Sequence, residues 1–257
     1  MVKPILYHVS TLPLRYQPTL LLQNQIHALQ LARRRVSADY PDVLLLLQHR
    51  PVFTAGRRQN DTLAEEERLR KLGADWVSTS RGGQTTYHGP GQIVGYPMFD
   101  IGRMGLSPRT YVCYLEKMLQ KLALDEHGLA HYPSEHTGLF LGPTLKVGSI
   151  GVQIRHRLTT HGFAVNITCE PTGWFDQVVA CGLADVKAES ISGAVGKDTS
   201  VEEEMPKVVD VFGKIFKREM RELSGEGEDE IMALIAGVEE DARRQGEWLR
   251  GPSIASA

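Results

Sequence analysis

The chain has 257 residues, 42% of them hydrophobic and 23% charged, with a formal net charge of −2. That balance belongs to a globular protein of one large domain or two small ones. It gives no electrostatic case for binding nucleic acid or an anionic membrane, and the densest apolar run, VLLLLQ at 43–48, is far short of the roughly 20 residues a membrane helix needs.

In chain order, QPTLLLQNQIHALQLARRR (17–35) carries Leu20, Leu21, Ile26, Leu29 and Leu31 at broadly helical spacing, with Pro18 tolerable in the first turn. VLLLLQ then reads as a buried strand. TLAEEERLRKLGA (62–74) is predicted helical, acids early and bases late as the helix dipole prefers, with Gly73 as its stop. The glycine-rich run RGGQTTYHGPGQ (81–92) suits neither helix nor strand, yet it leads directly into an apolar strand from Ile93 to Ile101. Residues 108–124 form an amphipathic helix pattern, and three short strands follow between 139 and 168: LFLG, LKVGSIGVQI and FAVNIT. A helix is expected from Glu202 to Glu222, entered through Ser200 as N-cap with Glu203 three residues on.

The tail has a different composition. SGEGEDE (224–230) reads as a linker, Ile231, Leu234, Ile235 and Val238 form one apolar stripe on a short helix, and GPSIASA is expected to be disordered. Strands and helices mix without strict βαβ alternation, so the fold class is α+β, a single domain with mixed sheets flanked by helices, over residues 1–223.

The three cysteines, Cys113, Cys169 and Cys181, are odd in number and widely spaced. This argues against a disulfide framework or a CxxC metal site and for a reducing compartment. Lys3, Arg15 and Arg33 to Arg35 all precede the first acid, Asp39. Such a start is similar to a mitochondrial leader, although the helical pattern begins so early that any leader is very short or already removed.

Four stretches carry candidate chemistry. Arg81, Gln84, Tyr87, His88 and Gln92 are displayed on a glycine-rich loop that is either a turn-rich connection or the wall of a ligand site. The nucleotide motifs GxxxxGK[ST] and GxGxxG both fail there. Lys146 lies in the apolar segment TLKVGSIGVQIR, where an ammonium either reaches solvent or is kept for its charge. His161 and Gly162 precede a strand whose Asn166 is unexpectedly polar, and His161 reads equally as a structural histidine. Cys181, at the end of WFDQVVAC and before Gly182, is either an inert buried cysteine or a nucleophile at a strand-to-turn junction. A free thiol is only a few per cent thiolate at neutral pH, and a nearby ammonium raises that fraction. Cys181 and Lys146 beside glycine-lined backbone would therefore suit acyl transfer, with backbone N–H groups for the oxyanion.

RGGQTTYHGPGQIVGYP resembles the signature of the octanoyltransferases, the lipoyl(octanoyl) transferases. HRPVFTAGR (49–57), LKVGSIGVQIR, THGFAVNIT and VACGLADVKAES resemble further blocks of that family, in its order and spanning about residues 5–220. The resemblance implies transfer of an octanoyl group from octanoyl-acyl carrier protein to a lysine of lipoyl domains, the first step of lipoate biosynthesis and protein lipoylation. Cys181 matches the acyl-thioester nucleophile and Lys146 the acid/base that lowers its pKa. Arg81, Gly82, Gly83, Gln84, Thr85, Thr86, Tyr87 and His88 match the loop lining the acyl pocket. Ser149, Ile150 and Gly151 match a second wall, and His161, Gly162, Phe163 and Ala164 a third.

The implied fold is similar to that of biotin and lipoate protein ligases. The implied partners are acyl carrier protein, the lipoyl domains of 2-oxoacid dehydrogenases and the glycine cleavage H protein. The implied state is a monomer without ATP, metal, nucleic acid or membrane. WFDQVVACGL and SVEEEMPKVVDVF resemble mitochondrial eukaryotic members, which favours the mitochondrion over the cytoplasm. Ala180 stands where the family has Pro, Asp185 where a small residue is common, and Glu189 where Thr is usual. An acid turned toward Cys181 would oppose thiolate formation. The alternatives are an ATP-dependent lipoate or biotin ligase, and a non-catalytic acyl-carrier-binding module of the same fold.

Overall fold

The computed structural model describes residues 3–37, 40–58, 63–179, 182, 185–224, 228–249 and 251–253. Strand β1 (Ile5–Val9) leads into helix α1 (Tyr16–Val36), and β2 (Asp42–Leu47) and β3 (Val52–Ala55) follow. Helix α2 (Leu63–Lys71) precedes β4 (Asp75–Ser78), β5 (Thr86–His88), β6 (Gln92–Met98) and helix α3 (Pro108–His127). Strands β7 (Leu139–Gly142), β8 (Leu145–Arg155) and β9 (Leu158–Asn166) form the middle of the chain. After them come α4 (Glu170–Phe175), β10 (Lys187–Ala188), α5 (Ile191–Val195), α6 (Val201–Phe216), β11 (Met220–Glu222) and α7 (Asp229–Arg244).

Eight strands make a mixed sheet in the order β10-β8-β9-β6-β2-β1-β11, with β7 on β8, and β4-β3-β5 make a second, smaller one. Strand β2 shows why the large sheet is buried on both faces. Successive side chains of a strand alternate sides, so Leu44 and Leu46 enter one core while Val43, Leu45 and Leu47 enter the other. The first core lies under α3 and α6, with Leu115, Met118, Leu122, Val208 and Phe212. The second lies under α1 and α7, with Leu22, Ile26, Ile231 and Ile235. A third cluster, Phe53, Trp76, Tyr87, Trp174 and Phe175, seats the small sheet on α4. The α+β architecture expected from the sequence is thus observed.

Several elements differ from the sequence reading: the glycine-rich run, read as neither helix nor strand, contains β5 paired with β3, and β9 begins at Leu158, so that His161 and Gly162 lie inside the strand they were expected to precede. The helix expected to reach Glu222 ends at Phe216, because Lys217 takes a left-handed conformation (φ 52°). The Arg218 guanidinium then donates to Lys3 O at 2.7 Å and Pro4 O at 3.0 Å, drawing Met220–Glu222 alongside β1 as a parallel edge strand. In α1 the buried face is Tyr16, Thr19, Leu22, Gln23, Ile26, His27 and Gln30, whereas Leu21 is exposed. Each polar member of that face has at least one hydrogen-bond partner, although Gln23 Nε2 and Gln30 Oε1 have none among the described residues. Gln30 Nε2 donates to Met98 O at 2.8 Å, and Gln23 Oε1 accepts from the His161 N–H at 2.7 Å. Arg33, Arg34 and Arg35 form the last turn of α1, where the helix dipole favours cations. Helix α7 packs on α1 through Ile231 and Ile235. Residues 225–227 of the expected linker, Arg250, and residues 254–257 of the end expected to be disordered lie outside the described residues, while Ser253 N–H in that end donates to Leu72 O at 2.9 Å.

Candidate active site

The glycine-rich loop is held between the two sheets. Gly82 N–H donates to Val152 O on β8 at 3.2 Å, while Arg57 and Arg58 N–H donate to Arg81 O and Gly83 O, each at 3.1 Å. Inside the loop Arg81 acts as a clamp. Its guanidinium, in a residue only 6% exposed, donates to Thr54 O and Thr54 Oγ1 at 2.7 Å, to Gln84 O at 3.0 Å and to Gly82 O at 3.1 Å. A planar guanidinium with several fixed donors can gather several carbonyls where no regular ladder exists. The next residues pair as β5 against β3, and Tyr87 turns into the aromatic cluster, stacked on Trp174 with centroids 5.2 Å apart. Gly89 is required there, since a Cβ would overlap the Tyr87 hydroxyl.

Two cavities adjoin this loop and share Ser149 and Ala164, which are cross-strand partners on β8 and β9. The outer cavity, of about 480 Å³, is lined by Lys146, Val147, Gln92, Asn166, Phe175 to Val179 and Val186 to Ala188, with Glu65 and Arg68 at its edge. The inner chamber, of about 50 Å³, is lined by Arg81, Gly82, Gly83, Gln84, Thr86, His88, Ser149, Ile150, Gly151, His161, Gly162, Phe163 and Ala164, together with Tyr16, Val94 and Tyr96. All three expected walls thus meet at one place. Thr85 and Tyr87 are buried outside both linings.

Lys146 projects from β8, its Nζ donating to Thr137 O at 3.2 Å and standing 5.1 Å from the centre of the Phe140 ring. Its stem runs beside Gly138, where a Cβ would lie 3.0 Å from Cε. The backbone of β10 fastens the returning chain to this residue, since Ala188 pairs with Lys146 and Glu189 N–H donates to Lys146 O at 2.9 Å.

Cys181, with Ala180, Leu183 and Ala184, lies outside the described residues. Its flanks do not: Val179 and Val186 line the outer cavity. Gly182 has φ 70°, a conformation that favours glycine, and a Cβ there would overlap Gln84 Oε1, so this backbone lies directly against the glycine-rich loop. Of the acids that depart from the family pattern, Asp185 is exposed. The Glu189 carboxylate accepts from Ser190 N–H at 2.8 Å, at the start of α5, and is thereby engaged by backbone.

A buried chain of hydrogen bonds joins the two cavities. His88 Nδ1–H donates to Gln92 Oε1 at 2.7 Å, Gln92 Nε2 donates to Asn166 Oδ1 at 2.8 Å, and Asn166 Nδ2 donates to Glu189 O at 2.9 Å. This accounts for the polar Asn166 in an otherwise apolar strand. The histidines around the chamber are held neutral. Burial, then the charges of Arg81 and Arg155, lower His161 to about 3. Burial lowers His49 to about 4, and it pushes His88 well below its usual range with help from His49. The His49 ring donates from Nδ1 to Leu14 O at 2.9 Å and accepts at Nε2 from the Tyr96 hydroxyl at 2.6 Å. The sequence reading did not find Tyr16, Val94 or Tyr96. The signal for Tyr96 was a hydroxyl inside an apolar strand, which needs a buried partner.

Cys113 is half-buried, and Cys169 is exposed with Sγ 3.3 Å from Ser190 Oγ. Among the described residues no helix is long and apolar enough to cross a membrane, and no group of three or more His, Cys, Asp or Glu could hold a metal ion.

Residues 23–213 match the lipoyl protein ligase A/B catalytic domain family. An octanoyltransferase of Caldicellulosiruptor saccharolyticus is 37% identical over 223 residues, covering 85% of this chain and 92% of the relative. A mitochondrial octanoyl-[acyl-carrier-protein]:protein N-octanoyltransferase of Danio rerio is 39% identical over 181 residues, covering 70% and 80%. In fold, the chain is similar to a bi-partite lipoate protein ligase from Thermoplasma acidophilum, with a TM-score of 0.61 at 14% identity, covering 98% of this chain and 97% of that one. The chain belongs to the octanoyltransferases, acyltransferases built on the lipoyl protein ligase A/B catalytic domain.

Proposed function

We propose that the chain moves an octanoyl group from octanoyl-acyl carrier protein to a lysine of lipoyl domains, in 2-oxoacid dehydrogenases and in the glycine cleavage H protein. Transfer runs through a thioester on Cys181 with Lys146 as acid and base, and without ATP or metal. The observation that carries this reading is the outer cavity. It presents the Lys146 side chain to walls formed by Asp176–Val179 and Val186–Ala188, the segments that flank Cys181. The name of the Danio rerio relative specifies an acyl-carrier-protein donor and a protein acceptor.

The Cys181 thiolate attacks the donor carbonyl carbon, its proton having passed to Lys146. The tetrahedral oxyanion collapses, the carrier thiolate leaves, and Lys146 returns the proton to it. In the second half the neutral acceptor amine attacks the Cys181 thioester, Lys146 takes the proton released as the amide forms, and the Cys181 thiolate is regenerated. The mitochondrion is the proposed location, supported by the Danio rerio and Homo sapiens relatives whose names place them there, each 39% identical. Import of the full chain into isolated mitochondria would test that part.

The chemistry is tested by mixing the protein with octanoyl-acyl carrier protein without ATP and measuring its intact mass. The expected result is one octanoyl adduct on Cys181, which a lipoyl domain then discharges. An unchanged mass, or an adduct that forms only with ATP, would overturn the proposal.

A further inference from the structure

The inner chamber lies beyond the Ser149–Ala164 pair from Lys146, and its volume of about 50 Å³ matches the share of about one or two water molecules in the liquid. An acyl chain whose carbonyl is beside Lys146 has most of its length in the outer cavity, and its far end can enter this chamber by crossing over the Ser149–Ala164 pair that both cavities share. Val94, Ile150 and Phe163 give the chamber apolar surface. Its floor is braced. Tyr96 donates to His49, which donates to Leu14 O, while the Tyr16 hydroxyl is 3.4 Å from His161 Nδ1. The Tyr16 ring is also stacked on His88, with centroids 6.0 Å apart and planes within 7°, and is 2% exposed.

A floor held by hydrogen bonds and ring packing cannot yield to one more methylene without moving several groups together. We infer that Tyr16 and Tyr96 form the stop for the far end of the bound acyl chain, so that the chamber above them, with Val94 in its wall, sets the acyl-chain length the enzyme accepts. This rests on the Cys181 thioester reading and adds to it the residues that select the substrate. Discrimination of roughly tenfold or more per methylene is typical of an apolar pocket with a fixed end.

The test measures single-turnover acylation of Cys181 by octanoyl-, decanoyl- and dodecanoyl-acyl carrier protein, read by intact mass. Tyr16→Leu and Val94→Ala both enlarge the chamber, and each should raise the decanoyl-to-octanoyl rate ratio about tenfold. Thermal unfolding identifies a variant that fails to fold, and if Tyr16→Leu does so, Val94→Ala decides. Folded, acylating variants with an unchanged ratio would overturn the ruler and leave the thioester reading standing. A wild-type enzyme that takes no acyl group from any donor would overturn both.

Discussion

The two cavities on either side of Ser149 and Ala164 are built from opposite materials. The outer one is the larger and is bordered by charge: Lys146, Lys187, Asp176, Glu65 and Arg68. The inner one is made of glycine backbone, rings and neutral histidines, and its one charged side chain, Arg81, is engaged by carbonyl oxygens. Proton transfer needs ionisable groups, whose charged form burial penalises. Recognition of an alkyl chain needs the reverse, an apolar wall, which Val94, Ile150 and Phe163 supply. The difference teaches that this fold separates the two tasks by position along a single pair of strands.

Substitutions can break that division at defined points. The largest effect is expected at the thiol: Cys181→Ser should lower octanoyl transfer by roughly three orders of magnitude or more in a single-turnover assay, whereas a pure binding module would keep its affinity for the carrier. Next is Arg81→Met, which strips donors from Thr54 O, Gly82 O and Gln84 O. Urea denaturation should show a loss of about 2–4 kcal/mol, and a loss under about 1 kcal/mol would remove Arg81 from its place as a clamp.

Acid provides a third probe. His49 and His161 have folded pKa values depressed to about 4 and about 3, below the ordinary value of about 6.5. Their stabilising contribution is therefore complete above about pH 6.5 and is lost as the pH falls toward those folded values. For His49 the loss at its folded pKa amounts to about 3 kcal/mol. Denaturation midpoints at pH 7, 5 and 4 should fall in that order, and a flat profile would mean that these rings are not buried neutral. The smallest effect is expected for Asn166→Ala, which removes a donor from Glu189 O and an acceptor from Gln92 Nε2, leaving the latter its bond to Tyr87 O. Acylation should slow about tenfold with about 1–2 kcal/mol of stability lost, and the effect should appear in kcat more than in KM.

Much of this was legible in one dimension where periodicity is strong. The leucines of β2, the strands between 139 and 166 and the Ser200 cap, which accepts from Glu203 N–H at 3.1 Å, follow the pattern of the residues. The end of α6 was not legible, because a left-handed lysine carries no sequence mark. Nor was the buried face of α1, where glutamine and histidine point inward because their partners come from β6, β8 and β9. The motif RGGQTTYHGPGQ marked the location of the site but did not distinguish its parts. Arg81 clamps the loop and borders the chamber, Tyr87 anchors the aromatic cluster, and only their neighbours Gly82, Gly83, Gln84, Thr86 and His88 join Arg81 in the chamber wall. Tyr16 and Tyr96 complete that chamber from elements distant in the chain, which local spacing does not reveal.

The claim on which the rest depends is that Lys146, in the outer cavity, supplies the charge that activates Cys181. It is tested most directly by the rate of Cys181 alkylation with iodoacetamide as a function of pH, in wild type and in Lys146→Ala, each carrying Cys113→Ser and Cys169→Ser so that one thiol is read. The account predicts that the midpoint of the curve moves up by about one pH unit or more in the Lys146 variant. Superimposable curves would contradict it.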